Sequence, residues 1–211
     1  MSLAKPHGVT LVGGDTTSGP MSISLTALGS IQPGFHMTRS GAEPGDLLVV
    51  SGALGGAAYM LDLLQQGKAA SARELLDRPQ PRVELGRFLA SYANACIDIS
   101  DGLLADLGHI IKASACGAKL DIGKLPEPAC FAELPADKKW EYQLSGGDDY
   151  ELLFTLPRSY MRQVPAWSRE LDVGLSIIGE IEAGQGVRCV GPDGNDFEPV
   201  GAGYEHFGKQ V

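Results

Sequence analysis

The run ACIDISDGLLADLGHIIKAS, residues 95–114, changes its hydrophobic period halfway along. As far as Ser100 the side chains alternate, with Ile97 and Ile99 on one face and Asp98 on the other, which is the period of a strand. Beyond it Leu103, Leu107, Ile110 and Ile111 recur at the spacing of one helical face. The two halves bury their apolar sides together only as strand, turn and helix, and that unit demands a sheet with helices packed on it.

The rest of the chain repeats the alternation. DLLVVSG, ACIDIS, GAKLDI, YELLFTLP, LSIIGEIE, GVRCVG and FEPVG read as strands. GGAAYMLDLLQQG reads as a helix stopped by glycine, PRVELGRFLASY as a helix with Pro81 in its first turn, and KKWEYQL as a short helix. RSYMRQVPAWSRELD reads as a helix that Pro165 kinks or divides. Residues 34–211 are therefore α/β (or α+β). The last strands are joined by short turns, PDGN among them, which predicts a mixed rather than a purely parallel sheet with flanking helices.

Ahead of the Pro/Gly-rich stretch QPGFHMTRSGAEPGD, GVTLV and MSISLTALGSI read as two further strands, and a boundary falls near residue 33. Two strands alone are marginal. Residues 1–33 are therefore expected to complete a sheet whose other strands lie outside this chain.

Charge narrows the partners. A formal net charge of −9 with no Lys/Arg run argues against nucleic acid and against an anionic membrane. No stretch approaches the roughly 20 apolar residues of a membrane span, and the first residues lack the pattern of a signal peptide, so a cytoplasmic location is expected. Cys96, Cys116, Cys130 and Cys189 show no CxxC pairing and read as free thiols.

Carboxylates stand beside glycines at three joints: Gly13, Gly14 and Asp15; Asp98 and Asp101 around Ser100; and Gly146, Gly147, Asp148 and Asp149. Taken singly, Ser100 or Asp101 serves equally as a helix cap, and SGGDD equally as a solvated turn. Taken together the joints point to a cation. Two carboxylates 4 Å apart repel by about 1 kcal/mol in water and about 4 kcal/mol at an effective dielectric of 20. Oxygen donors without His or Cys suit Mg²⁺ holding a phosphorylated ligand.

Other chemistry is poorly supported. There is no GxSxG or HExxH, and His7, His36, His109 and His206 have no ligand spacing. GYEHFGKQ imitates a P-loop but has Gln210 where Ser or Thr is needed. GALGGAA, residues 52–58, reads as a tight turn rather than a phosphate cradle.

GGDTTSGP, TRSGAEPGD, DISDGLLADLGHI and SGGDDYELLFTLP, in this order, resemble thiamine-monophosphate kinases of the PurM-like superfamily. That superfamily also holds aminoimidazole ribonucleotide and selenophosphate synthetases. The resemblance runs from Gly8 to Phe207 and implies a PurM-like C-terminal domain at 34–211, with two remnant strands of an N-terminal ATP-binding and dimerisation domain at 1–33. It implies phosphoryl transfer from ATP to thiamine phosphate, with Mg²⁺ shared among aspartates and a homodimeric full-length enzyme. Gly14, Asp15, Arg39 and Ser100 would contact ATP; Asp15, Asp98 and Asp101 would ligate Mg²⁺; Asp148 and Tyr204 would meet thiamine phosphate; no residue is assigned as acid or base. Because family members carry a preceding, mostly β domain, the chain is expected to act as an inactive or impaired fragment. The alternatives are another ATP-dependent synthetase of the superfamily, or a binding or assembly module without catalysis.

Overall fold

The computed structural model describes residues 4–199. The chain divides into two units, Met1–His36 and Met37–Val211.

In the first unit a 3₁₀ turn, Lys5–His7, is the one helical element among the described residues, and everything from Gly8 to His36 is exposed. The strands expected at 8–12 and 21–31 form no ladder here. Met21, Ile23 and Leu25 keep the period of two but lie open to solvent. A strand is held by backbone pairing to a neighbour, and this unit offers none.

The second unit is built on a seven-stranded sheet: β1 Leu47–Ser51, β2 Ala95–Asp98, β3 Gly117–Asp121, β4 Leu152–Leu156, β5 Leu175–Glu182, β6 Gly186–Val190 and β7 Asp196–Phe197. Its order is β2-β4-β1-β5-β3-β6-β7. Helices α1 Gly56–Gln65, α2 Glu74–Asp77, α3 Val83–Leu89, α4 Leu103–Ser114, α5 Ala136–Ser145 and α6 Val164–Glu170 accompany it. Alternation along the strands feeds two cores. Leu48, Val50, Ile97 and Leu153 pack with Leu103, Leu107 and Ile110 of α4. On the other face Leu47, Val49, Phe154 and Leu156 pack with Leu85 and Leu89 of α3 and Val164 and Trp167 of α6. The result is three layers.

The sheet is mixed, as expected, but for a different reason. β6 and β7 do form an antiparallel pair across the predicted turn. β5 and β6 do not pair, because β3 lies between them, antiparallel to β5 and parallel to β6. Ala118 and Leu120 of β3 are buried, and an interior position supplies that burial. Other boundaries shift. Pro81 precedes the N-cap Arg82 of α3 instead of lying in its first turn, and β7 stops ahead of Pro199, which has no N–H for a ladder. Pro165 divides its segment into a 3₁₀ turn, Arg158–Tyr160, and α6. No helix among the described residues is long and apolar enough to cross a membrane.

One hydroxyl in this core has no partner: Thr155 of β4 is fully buried and its Oγ1 makes no hydrogen bond. Thr155→Val keeps the shape and removes the unsatisfied group. It should raise stability by about 1 kcal/mol, read as a higher urea midpoint. A lower midpoint would show that the hydroxyl contributes to folding.

Candidate functional site

The site grows from the end of β2. Ile97 and Ile99 are buried while Asp98 between them is exposed, so the alternation read from the sequence holds. At the next step α4 begins at an N-cap that is neither Ser100 nor Asp101 but Gly102, at φ 112, with no side-chain cap. A Cβ at Gly102 would also press on the backbone of Ser145. The amides ahead of the helix are satisfied from within it: Asp106 Oδ2 accepts from the N–H of Ser100 at 3.0 Å and of Asp101 at 3.1 Å.

The second acidic run is stitched to the first. Ile99 donates its N–H to the Glu151 carbonyl, Tyr150 donates to the Ile99 carbonyl, and Asp148 donates to the Ser100 carbonyl at 3.0 Å. Gly147 lies so close to that carbonyl that a Cβ would collide with it. SGGDD is thus no free surface turn. Asp148 and Tyr150 both adopt left-handed backbone, φ 67 and 51, a conformation that costs L-residues roughly 1–2 kcal/mol each. The strained pair flanks Asp149 and sends alternate side chains to opposite sides.

On one side the Tyr150 hydroxyl donates to Asp148 Oδ1 at 3.3 Å. Burial pushes the phenol upward, and the charges of Asp148, Asp98 and Asp101 push it further. The field at this phenol thus comes from carboxylates of both acidic runs. On the other side Asp149 Oδ2 accepts from the Gly55 N–H at 2.7 Å, at the start of α1. Burial raises the Asp149 carboxyl to about 7, against the N–H groups of Gly55 and Ala57, which lower it. In the GALGG turn the amides of Gly52, Leu54 and Gly55 are therefore already engaged within the protein. Glu151 follows on the same side, accepting from the Ser51 hydroxyl and from Arg82, whose Nε lies at 2.7 Å. Asp149, Glu151, Arg82 and Cys130 line a cavity of about 510 Å³ that includes none of Asp98, Asp101 or Asp148.

Of the remaining sequence candidates, one can be placed against this site. Arg39 is exposed, and its carbonyl accepts from Ser114 at the last residue of α4, whereas Asp101 precedes that helix. Twelve helical residues, about 18 Å, separate the two backbones. Gly14 and Asp15 belong to the first unit. Tyr204 lies outside the described residues. His109 is exposed on α4, yet one atom each of Asp101, Asp106 and His109 lie within 4.8 Å of one another. Asp98, Asp101 and Asp148 each offer carboxylate oxygens, the donor type that suits a hard divalent cation.

Sequence reasoning missed Asp106, the second role of Asp149, and the Glu151–Arg82 pair. Asp106 had a signal: it is a carboxylate inside the apolar stripe of α4. Arg82 is 69 residues from Glu151, and no local pattern could join them.

Known proteins resemble the chain over most of its length. The model of the family described as AIR synthase related protein, C-terminal domain, matches residues 43–191. The chain is 39% identical over 209 residues to a thiamine-monophosphate kinase of Escherichia coli (strain K12), covering 95% of this chain and 64% of that relative's length. It is similar to the crystal structure of a thiamine-monophosphate kinase from Stenotrophomonas maltophilia K279a, with TM-score 0.86 and 43% identity over 92% of this chain and 64% of that one. It is also similar to AaThiL complexed with AMPPCP and TMP, with TM-score 0.65 and 34% identity over 81% of this chain and 54% of that one.

Asp149 makes a pH prediction. Its carboxyl titrates near 7 when folded and near 3.8 when unfolded, so between those values the folded state holds more protons. Stability from this group is full below about pH 4 and is lost as the pH rises toward 7, at no more than about 1.4 kcal/mol per unit. Asp149→Asn keeps an oxygen for Gly55 and does not titrate. The stability difference between variant and parent, from urea denaturation at pH 5 to 8, should shift in favour of the variant as pH rises. A constant difference would rule out titration of Asp149 in this range.

Proposed function

This chain belongs to the family of AIR synthase related proteins, through that family's C-terminal domain, and we propose that it serves the transfer of the γ-phosphoryl group of ATP to thiamine phosphate, giving thiamine diphosphate and ADP. The observation that carries the reading is that the segment bearing Asp98 and Asp101 and the segment bearing Asp148 are hydrogen-bonded to one another just beyond the paired ends of β2 and β4. The chain spans 64% of the length of the Escherichia coli relative, and that relative's reaction is accordingly a proposal for it.

In this reading Asp98 and Asp101 hold Mg²⁺, which when bound neutralises phosphate charge and the carboxylates themselves. Ser100 contacts the nucleotide. Gly14, Asp15 and Arg39 are assigned to ATP, with Asp15 also a cation ligand, and Asp148 and Tyr204 to thiamine phosphate. Phosphoryl transfer asks the protein mainly for positioning and charge stabilisation, so no residue is assigned as acid or base. The doubly stitched 99–101 segment is suited to that task. A homodimer and a cytoplasmic location belong to the same proposal; the exposed apolar side chains Met21, Ile23, Leu25 and Leu28 support the first, and four free cysteines the second.

Calorimetric titration with thiamine phosphate and MgATP, and chromatography of the products, test it. Thiamine phosphate should bind, and Asp148→Ala should weaken it about tenfold. In a protein that spans the relatives' full length, thiamine diphosphate should form, and Asp98→Asn should slow it by roughly a hundredfold or more. Binding without product would confine this chain to a binding module. Turnover of aminoimidazole precursors in place of thiamine phosphate would move it to the synthetases.

A further inference from the structure

We propose that Asp106 is a positioning residue for the cation-binding carboxylates: from inside α4 it grips the amides of Ser100 and Asp101 and so fixes the segment that presents Asp98 and Asp101. The inference rests on the reading of those two aspartates as cation ligands.

Asp106 is only 2% exposed and lies one turn into α4, within the stripe that buries Leu103, Leu107 and Ile110. A carboxylate there is costly by placement. Burial opposes its charge first, and the like charges of Asp101 and Asp98 add to that, while only the Ser100 and Asp101 N–H groups favour it. A leucine would complete the apolar stripe without that cost. What the carboxylate provides is a reach backwards past the N-cap. Its own N–H is held by the Gly102 carbonyl, and Oδ2 accepts both amides of the turn before the helix.

This anchors the loop from the side that β4 does not reach. The carbonyl of Ser100 is held by Asp148, and the carbonyl of Ile99 by Tyr150. The N–H groups of Ser100 and Asp101 both donate to Asp106 Oδ2. With both ends of Ser100 fixed, the chain has little freedom to rotate Asp98 and Asp101 away from a common ion. Groups that orient ligands from behind are commonly worth about 10- to 100-fold in metal affinity.

The clustering of one atom each from Asp101, Asp106 and His109 within 4.8 Å raises the competing role of direct ligand. Asparagine separates the two. It keeps an oxygen to accept the amides but is a poor substitute for an anionic ligand, so it should restore a positioning role and not a ligating one.

The experiment compares the parent chain with Asp106→Ala, Asp106→Asn and Asp98→Asn. Mn²⁺ binding is followed by electron paramagnetic resonance, amide hydrogen exchange is resolved at Ser100 and Asp101, and urea midpoints report overall stability. Asp106→Ala should weaken Mn²⁺ about tenfold or more and speed exchange at those two amides well beyond any change along the rest of α4. Asp106→Asn should recover most of both. If the alanine variant does not fold, Asp106→Leu, which extends the apolar stripe, replaces it. Unchanged Mn²⁺ affinity in folded Asp106→Ala or Asp106→Leu overturns the proposal, as does an asparagine variant as weak as the alanine one. A lower urea midpoint alone, with Mn²⁺ and the two amides unmoved, marks a structural role and also overturns it. Failure of the cation reading looks different: the parent and Asp98→Asn would bind Mn²⁺ equally, and the exchange at Ser100 and Asp101 would still decide whether Asp106 holds the loop.

Discussion

The site depends on a backbone ladder that does not stop where its strands stop. β2 and β4 pair from Ala95 with Thr155 to Asp98 with Leu152, and the pairing then runs on through Ile99, Glu151, Tyr150, Ser100 and Asp148. Those bonds carry the order of a buried sheet into a segment that would otherwise be two independent loops. They also explain the glycines. Gly147 is needed because the chains approach too closely for a Cβ at Ser100, and Gly102 because the helix must start at positive φ against Ser145. The left-handed Asp148 and Tyr150 are tolerable for the same reason: neighbours on both sides fix a backbone that would relax if free.

Which parts of this were legible in the sequence follows the range of the interaction. The change of period between Ile99 and Leu103 is local, and it located β2, α4 and the exposed Asp98 correctly. The same rule misled at 21–31, because alternation reports which side of a segment is apolar and not whether a neighbour is present to pair with it. Met21, Ile23 and Leu25 have the period without the ladder. The insertion of β3 between β5 and β6 was invisible, since a short turn between consecutive strands suggests a hairpin and only the packing of Ala118 and Leu120 decides otherwise. At the site, ordered motifs were enough to single out Asp98, Asp101 and Asp148. They did not show what holds them, because Asp106 works through backbone amides and Glu151 through an arginine far away in sequence.

For a chain of net charge −9 the deeper question is how so many carboxylates share one end of a sheet. The structure divides them by what neutralises them. Asp149 faces the amides that open α1, Glu151 is clasped by Arg82 and Ser51, and Asp106 takes two amides of the loop. Each of these is satisfied by the protein, and each fixes a piece of backbone next to the site. Asp98, Asp101 and Asp148 keep at least partial exposure on the outer side. The alternation that strained backbone imposes at 148–151 is what keeps the two groups apart. The inner carboxylates hold pieces of backbone in place, and the outer ones contribute a negative field of the kind a cation would relieve.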